Sequence, residues 1–207
     1  MTEIVITSAK RLPIGKFLGS LSQFSAHELG SLVIKSIIQD SGVSKDHIDE
    51  IIMGQVLTGG SGQNPARQTA MLSEIPETAS AVTINQVCGS GLRSVELAAN
   101  SILCGHSKII ISGGQESMTN AHHTINVRNG LKMGDGKLKD SMIVDGLWCA
   151  MNDYHMGTTA ENIANKFNIS KEEQDEFSTQ SQNKAENAQK KDHFKKEICP
   201  VIIKNKK

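Results

Sequence analysis

The stretch that decides the reading is Asn85-Gln-Val-Cys-Gly-Ser-Gly-Leu-Arg93. It follows Ala81 to Val87, an apolar run of strand character, and leads into Leu92 to Leu103, whose apolar residues recur at helical spacing. A cysteine at such a junction sits beside N–H groups that have no intrahelical partner, where the helix dipole favours negative charge. That setting favours a thiolate. The glycines at 89 and 91 let the backbone turn tightly and leave room for a substrate. The N–H groups of Cys88 and Gly89 also suit the oxyanion of a thioester under attack. A thiolate is matched to acyl exchange with another thiol, because nucleophile and leaving group are chemically alike. The competing reading is a structural cysteine, since free cysteines are mostly buried. Taken alone, the nine residues leave both open.

Outward from this turn, strands and helices alternate. On the N-terminal side, Ile4 to Ser8 reads as a buried strand, and Ser25-Ala-His-Glu28 as a capping box. The helix after it carries Leu29, Leu32, Val33 and Ile37 on one face, with Gly42 as its stop. Glu50 to Gln55 reads as a second strand, running into the loop Gly59-Gly-Ser-Gly62 and a helix opened by Asn64-Pro65. On the C-terminal side, Lys108 to Ser112 is a further strand. Strands separated by helices of this length predict an α/β fold, with a mixed or parallel sheet and helices on its faces. Residues 119–157 are polar, glycine-rich and aperiodic, the texture of a long functional loop. Thr158-Thr-Ala-Glu161 and Ser170-Lys-Glu-Glu173 predict two more helix starts, the second opening a long polar helix. Ile198 to Ile203 reads as a strand.

Composition narrows the function. The 207 residues carry 22 basic and 22 acidic side chains, and aromatics are 3% of the chain. This balance gives no electrostatic reason to expect nucleic acid or an anionic membrane, and few rings on which bases could stack. The four cysteines, Cys88, Cys104, Cys149 and Cys199, are too dispersed for a zinc site or a disulfide framework. A reducing, cytoplasmic setting is expected. The N-terminus has no secretory pattern, and no apolar run approaches a membrane span. His122, His123 and His155 lack the spaced carboxylate or cysteine of a metal site. The 59–62 loop lacks the lysine and hydroxyl residue of a P-loop, so a turn beside the active site is the favoured reading. The lysines at 190–191, 195–196 and 206–207 read as a solvated surface, with a phosphate contact as the alternative.

The cysteine turn resembles the nucleophile motif of the thiolase family, and it does not stand alone. Gly62-Gln-Asn-Pro-Ala-Arg-Gln68, Gly113-Gly-Gln-Glu-Ser-Met118, Asp140-Ser-Met-Ile-Val-Asp-Gly-Leu-Trp148 and Tyr154-His-Met-Gly-Thr-Thr-Ala-Glu-Asn162 resemble family segments in the family's order and spacing. The opening, Ile4 to Gly15, does so too. The resemblance implies the first half of a thiolase: a five-stranded mixed sheet with helices on both faces, and part of an inserted loop domain. Residues 1–118 would be the incomplete core, and 119–207 the start of the loop domain. Cys88 would accept the acyl group, with Cys88 and Gly89 at the oxyanion turn. Leu147, His155 and Met156 would line the pantetheine channel, and the segment around 125–140, with Met133-Gly-Asp-Gly136, would be a tetramerisation loop.

The loop sequence resembles the biosynthetic acetoacetyl-CoA thiolases. The implied reaction condenses two acetyl-CoA to acetoacetyl-CoA or runs in reverse, with CoA thioesters as substrates and neither metal nor prosthetic group. Implied partners are acetyl-CoA or acetoacetyl-CoA and further thiolase subunits, in a homo-oligomer that is tetrameric in the family, or a separate C-terminal half. His122 and Cys149 stand where the family tends to have proline and an acidic residue. The family's Gly-His-Pro, second Cys-x-Gly and Asn-Glu-Ala-Phe motifs do not occur in the 207 residues. The expectation is a truncated chain, inactive without its second half, with a sheet edge and an apolar face exposed. The rivals are a non-catalytic remnant that binds CoA or thiolase subunits, a degradative 3-ketoacyl-CoA thiolase, and a related β-ketoacyl synthase.

Overall fold

The computed structural model describes residues 3–203. The Lys206-Lys207 end lies outside them. The chain divides into two compact units, one running to Gly146 and resuming at Cys199, the other Leu147–Ile198. The stretch 119–146, which the resemblance assigns to the loop domain, groups with the first unit.

The first unit starts from helix α1, Ala26–Ser41. Its ends are where the sequence puts them. Ser25 and Glu28 exchange capping-box hydrogen bonds, and Gly42 closes the helix at φ +68. Its buried stripe is different from the expected one. Ala26, Gly30, Ser31 and Ile34 are buried, while Leu29, Leu32, Val33 and Ile37 are only partly covered. Close approach selects the small residues: a Cβ on Gly30 would lie 2.1 Å from Gln115 Oε1 and 3.1 Å from Thr69 Cγ2.

Strands β1 (Glu50–Gly54), β2 (Ser80–Ile84) and β3 (Ile110–Gly114) form a parallel sheet in the order β2-β1-β3. Helix α2 (Pro65–Leu72) connects β1 to β2, and α3 (Ser90–Leu103) connects β2 to β3. The two crossovers run in opposite directions across β1, so right-handed connection puts their helices on opposite faces. Alternation along β1 agrees. Ile51 and Met53 join the core with Ile34 of α1 and Ala66 and Ala70 of α2. Ile52 and Gly54 face the other way, toward α3. Ser94, fully buried in α3, shares its hydroxyl between Gly91 C=O at 2.6 Å and Gly113 C=O at 3.0 Å.

The α/β class is confirmed, but two expected strands are not in the sheet. Ile4 to Ser8 has no ladder partner among the described residues, and Val5 and Ile6 are exposed. An apolar run becomes a strand only where a neighbour completes its hydrogen bonds. Instead, Ser8 Oγ donates to Asp40 at 2.7 Å and Lys10 pairs with Asp40 at 3.0 Å, tying the segment to α1. Ile198 to Ile203 also forms no strand, although Cys199 N–H donates to Arg11 C=O at 2.9 Å. The described sheet thus has three strands rather than five. On its β2–α3 side Val82, Leu92 and Val95 are exposed.

Beyond the sheet, β4 (His123–Thr124) pairs antiparallel with β5 (Lys139–Asp140), and the arm between them exposes Leu131, Met133 and Leu138. A π-helical turn, Met142–Leu147, follows. In the second unit, β6 (Trp148–Cys149) pairs with β7 (Tyr154–His155) ahead of helices α4 (Met156–Phe167) and α5 (Lys171–Lys190). The capping box expected at Thr158 does not form. The helix starts earlier, because His155 Nδ1 accepts the Gly157 N–H at 2.9 Å and caps it. The Ser170 box of α5 forms as read.

Candidate active site

Parallel register brings the carboxyl ends of the three strands level: Gly54 pairs with Ile84 on one side and Gly114 on the other. The loops that leave these ends carry the candidate chemistry, and such ends are where open α/β sheets bind ligands. Cys88 lies here, exposed, in the turn between β2 and α3. The structural-cysteine reading therefore loses its main support, which is burial.

The turn is tightly built. Val87 adopts φ +50, a left-handed conformation that is unusual for a β-branched residue. It is clamped on both sides. Asn85 Oδ1 accepts the Val87 N–H at 2.8 Å, and the Ser90 hydroxyl donates to Val87 C=O at 2.6 Å. The same Ser90 oxygen accepts the Gln86 N–H at 2.8 Å. The Gly89 N–H, expected at the oxyanion position, donates to Gln86 C=O at 3.1 Å. It is occupied within the turn. An isolated parallel bridge joins Gln86 and Cys88 within the same turn.

Glycines let the helix settle onto the sheet. A Cβ on Gly54 would meet Ser90 Cβ and carbonyl carbon at 2.6 Å and Gly91 N at 2.8 Å. Gly91 and Gly114 also pass close enough that a Cβ on Gly114 would stand 3.4 Å from Gly91 Cα. Behind the strand ends runs a buried polar chain. The Thr69 hydroxyl donates to Gln115 Oε1 at 2.7 Å, Gln115 Nε2 to Gln55 Oε1 at 2.9 Å, and Gln55 Nε2 to Leu57 C=O at 3.0 Å. Every member has a partner, which stiffens such a network. Glu116 accepts the Val56 N–H at 2.8 Å and the Leu57 N–H at 3.3 Å, fixing the loop after β1. Burial nonetheless pushes its carboxyl above the usual glutamate range, against those N–H donors.

The other sequence candidates lie in the second unit. Leu147 ends the π-helical turn; His155 and Met156 meet where β7 passes into α4. The departure at Cys149 has a physical account. Its buried sulfur accepts the Asn152 side-chain amide at 3.2 Å, and this bond, with the backbone N–H groups of Asn152 and Met151, holds the thiol below its ordinary pKa. His122 lies against the glycine loop: a Cβ on Gly60 would sit 2.8 Å from its Nδ1. Sequence reasoning missed Ser90, Gly54 and Glu116. Only Asn85 carried a local signal, an asparagine placed to bond the backbone two residues on.

Residues 4–207 match the family model for the thiolase N-terminal domain. The chain belongs to the thiolase family. It is 54% identical over its whole length to an acetyl-CoA acetyltransferase of Paracoccus denitrificans, of which it covers 53%, and 54% identical to one of Cupriavidus necator, of which it also covers 53%. A probable acetyl-CoA acetyltransferase of Escherichia coli is 50% identical over 99% of the chain and 52% of that relative. This thiolase-family chain thus spans about half the length of the curated relatives it matches. Among the described residues no helix is long and apolar enough to cross a membrane.

Proposed function

We propose that this chain is the nucleophile-bearing part of an acetyl-CoA C-acetyltransferase, condensing two acetyl-CoA to acetoacetyl-CoA or running the reverse thiolysis. The observation that carries the reading is the exposed Cys88 at the carboxyl end of a parallel sheet, in the turn that opens a helix. The names of the relatives support the substrate.

In this reading Cys88 Sγ attacks the acetyl carbonyl carbon, the C–S bond to CoA breaks, and CoA leaves as its thiol, taking a proton. A second acetyl-CoA then loses an α-proton, and its carbanion attacks the Cys88 thioester, releasing acetoacetyl-CoA and the cysteine thiolate. The Cys88 N–H is the oxyanion donor that this turn offers, since the Gly89 N–H is already taken. The groups that move protons come from outside the 207 residues. Leu147, His155 and Met156 belong to the pantetheine path, residues 119–207 to the covering loop domain beyond a core of 1–118, and the segment around 125–140, with Leu131, Met133 and Leu138 exposed, to contacts with other subunits in a homo-oligomer. Four free cysteines support a reducing, cytoplasmic setting.

The test is the intact mass of the chain after incubation with acetyl-CoA, beside a Cys88→Ser variant. An acetyl adduct on the wild type alone is expected. A variant acetylated to the same extent, or a wild-type adduct on a residue other than Cys88, overturns the reading.

A further inference from the structure

We propose that Ser90 is the positioning residue of the Cys88 turn: its single buried hydroxyl holds Val87 in the left-handed conformation that presents Cys88 to solvent. The inference rests on the reading of Cys88 as nucleophile, but its geometry stands separately. Ser90 is 4% exposed and its hydroxyl bonds in both directions, donating to Val87 C=O at 2.6 Å and accepting the Gln86 N–H at 2.8 Å. It therefore joins the residue before the strained position to the strained residue itself.

Strain at φ +50 persists only where its surroundings enforce it. Asn85 fixes the N–H side of Val87, but Asn85 is exposed, and its bond spans two residues. Ser90 fixes the carbonyl side from within a helix seated on β1. The seat is firm, because the Ser90 backbone and Cβ lie so near Gly54 that no Cβ fits between. The hydroxyl thus transmits the position of the sheet to the peptide that carries Cys88. Without it, the Val87 carbonyl keeps only the Ser90 N–H at 3.1 Å and the Gln86 N–H loses its acceptor, so Val87 moves toward the β region that its side chain prefers, turning the next residue with it.

Cys104 provides an internal reference. It is exposed and lies at the other end of the same helix. The experiment measures alkylation by iodoacetamide at both sites in the native 207-residue chain, resolved by peptide mass, across pH. Three chains are compared: wild type, Ser90→Ala, and Ser90→Ala with Val87→Asn. Asparagine tolerates the left-handed region far better than valine. Expected is at least a fivefold fall in the Cys88 rate in the single variant, with Cys104 within twofold of wild type. The double variant should return Cys88 to within about twofold. An unchanged Cys88 rate in Ser90→Ala overturns the proposal, as does an equal change at both cysteines, which marks general loosening. So does a double variant that fails to recover, which reduces Ser90 to packing. Alkylation needs no acyl chemistry, so failure of the acetyl-adduct experiment leaves this result readable.

Discussion

The two units are held together by different physics. In the first, Ile34, Ile51, Ala66 and Ala70 are essentially sealed from solvent, and glycines let backbones touch. In the second, neither α4 nor α5 buries a residue. Those helices stand on local devices: the His155 cap, the Ser170 box, and pairs such as Lys171–Asp175 and Glu186–Lys190. The turn that carries Cys88 is built in the unit where tertiary packing dictates geometry, as placement to a fraction of an ångström requires. The residues assigned to substrate contact lie in the unit where the sequence dictates local structure and little else.

The sharpest way to break this contrast is to cut equivalent aliphatic carbon from each unit. Ile51→Ala empties a fully buried site and is expected to cost about 2–5 kcal/mol. Ile163→Ala on α4, where the side chain is 47% exposed, is expected to cost under about 0.5 kcal/mol. Urea melts of both variants check this. Similar losses would mean that the second unit has a core of its own.

A smaller effect, specific to the first unit, concerns pH. Glu116 has a raised pKa in the folded state because it is buried. The folded chain therefore holds this proton after the unfolded chain has released it. Its contribution to stability is complete below the ordinary glutamate range and is lost as pH rises from there through the raised value. Asp49 and Glu28 act with the opposite sign. Backbone N–H donors lower both, from Ile109 and Lys108 for Asp49 and from Ser25 for Glu28, so their contribution is lost as pH falls. Glu116→Gln keeps an acceptor for Val56 and Leu57 but has no charge to desolvate. The expected result is that the melting temperature of wild type, relative to this variant, declines as pH rises above about 4.3. A constant difference across that range would rule out burial as the cause.

How much of this the sequence revealed follows the same divide. Features written in adjacent residues were legible. The Ser25 and Ser170 boxes, the Gly42 stop and the cysteine turn all depend on spacings of a few positions. Features set by distant neighbours were not. The buried stripe of α1 follows Gly30 because Gln115 comes within contact, and no helical periodicity encodes residue 115. Ile4 to Ser8 has strand composition but no strand beside it among the described residues. The start of α4 was misplaced because a histidine cap outcompeted a threonine that looked better on paper. In the site, the cysteine turn was visible while its supports were hidden. Gly54 and Glu116 act across tens of residues, and the role of Ser90 appears only once the carbonyl of Val87 is known to point at it.

The smallest expected effect is also the cleanest test of local control. Ser170 Oγ accepts the Glu173 N–H at 3.1 Å, and Glu173 returns the bond to the Ser170 N–H at 2.8 Å. Ser170→Ala removes the first of these and leaves an end N–H of α5 to water, at a cost of about 1 kcal/mol. Because no residue of α5 is buried, no side-chain packing should spread that loss. Amide exchange should therefore quicken over the first turn of α5, at 171–175, and fade toward Lys190, while the amides of β1 exchange as before. If β1 responds as well, the helix is coupled to the sheet by more than its cap, and the division of the molecule into a packed unit and a locally held one gives way.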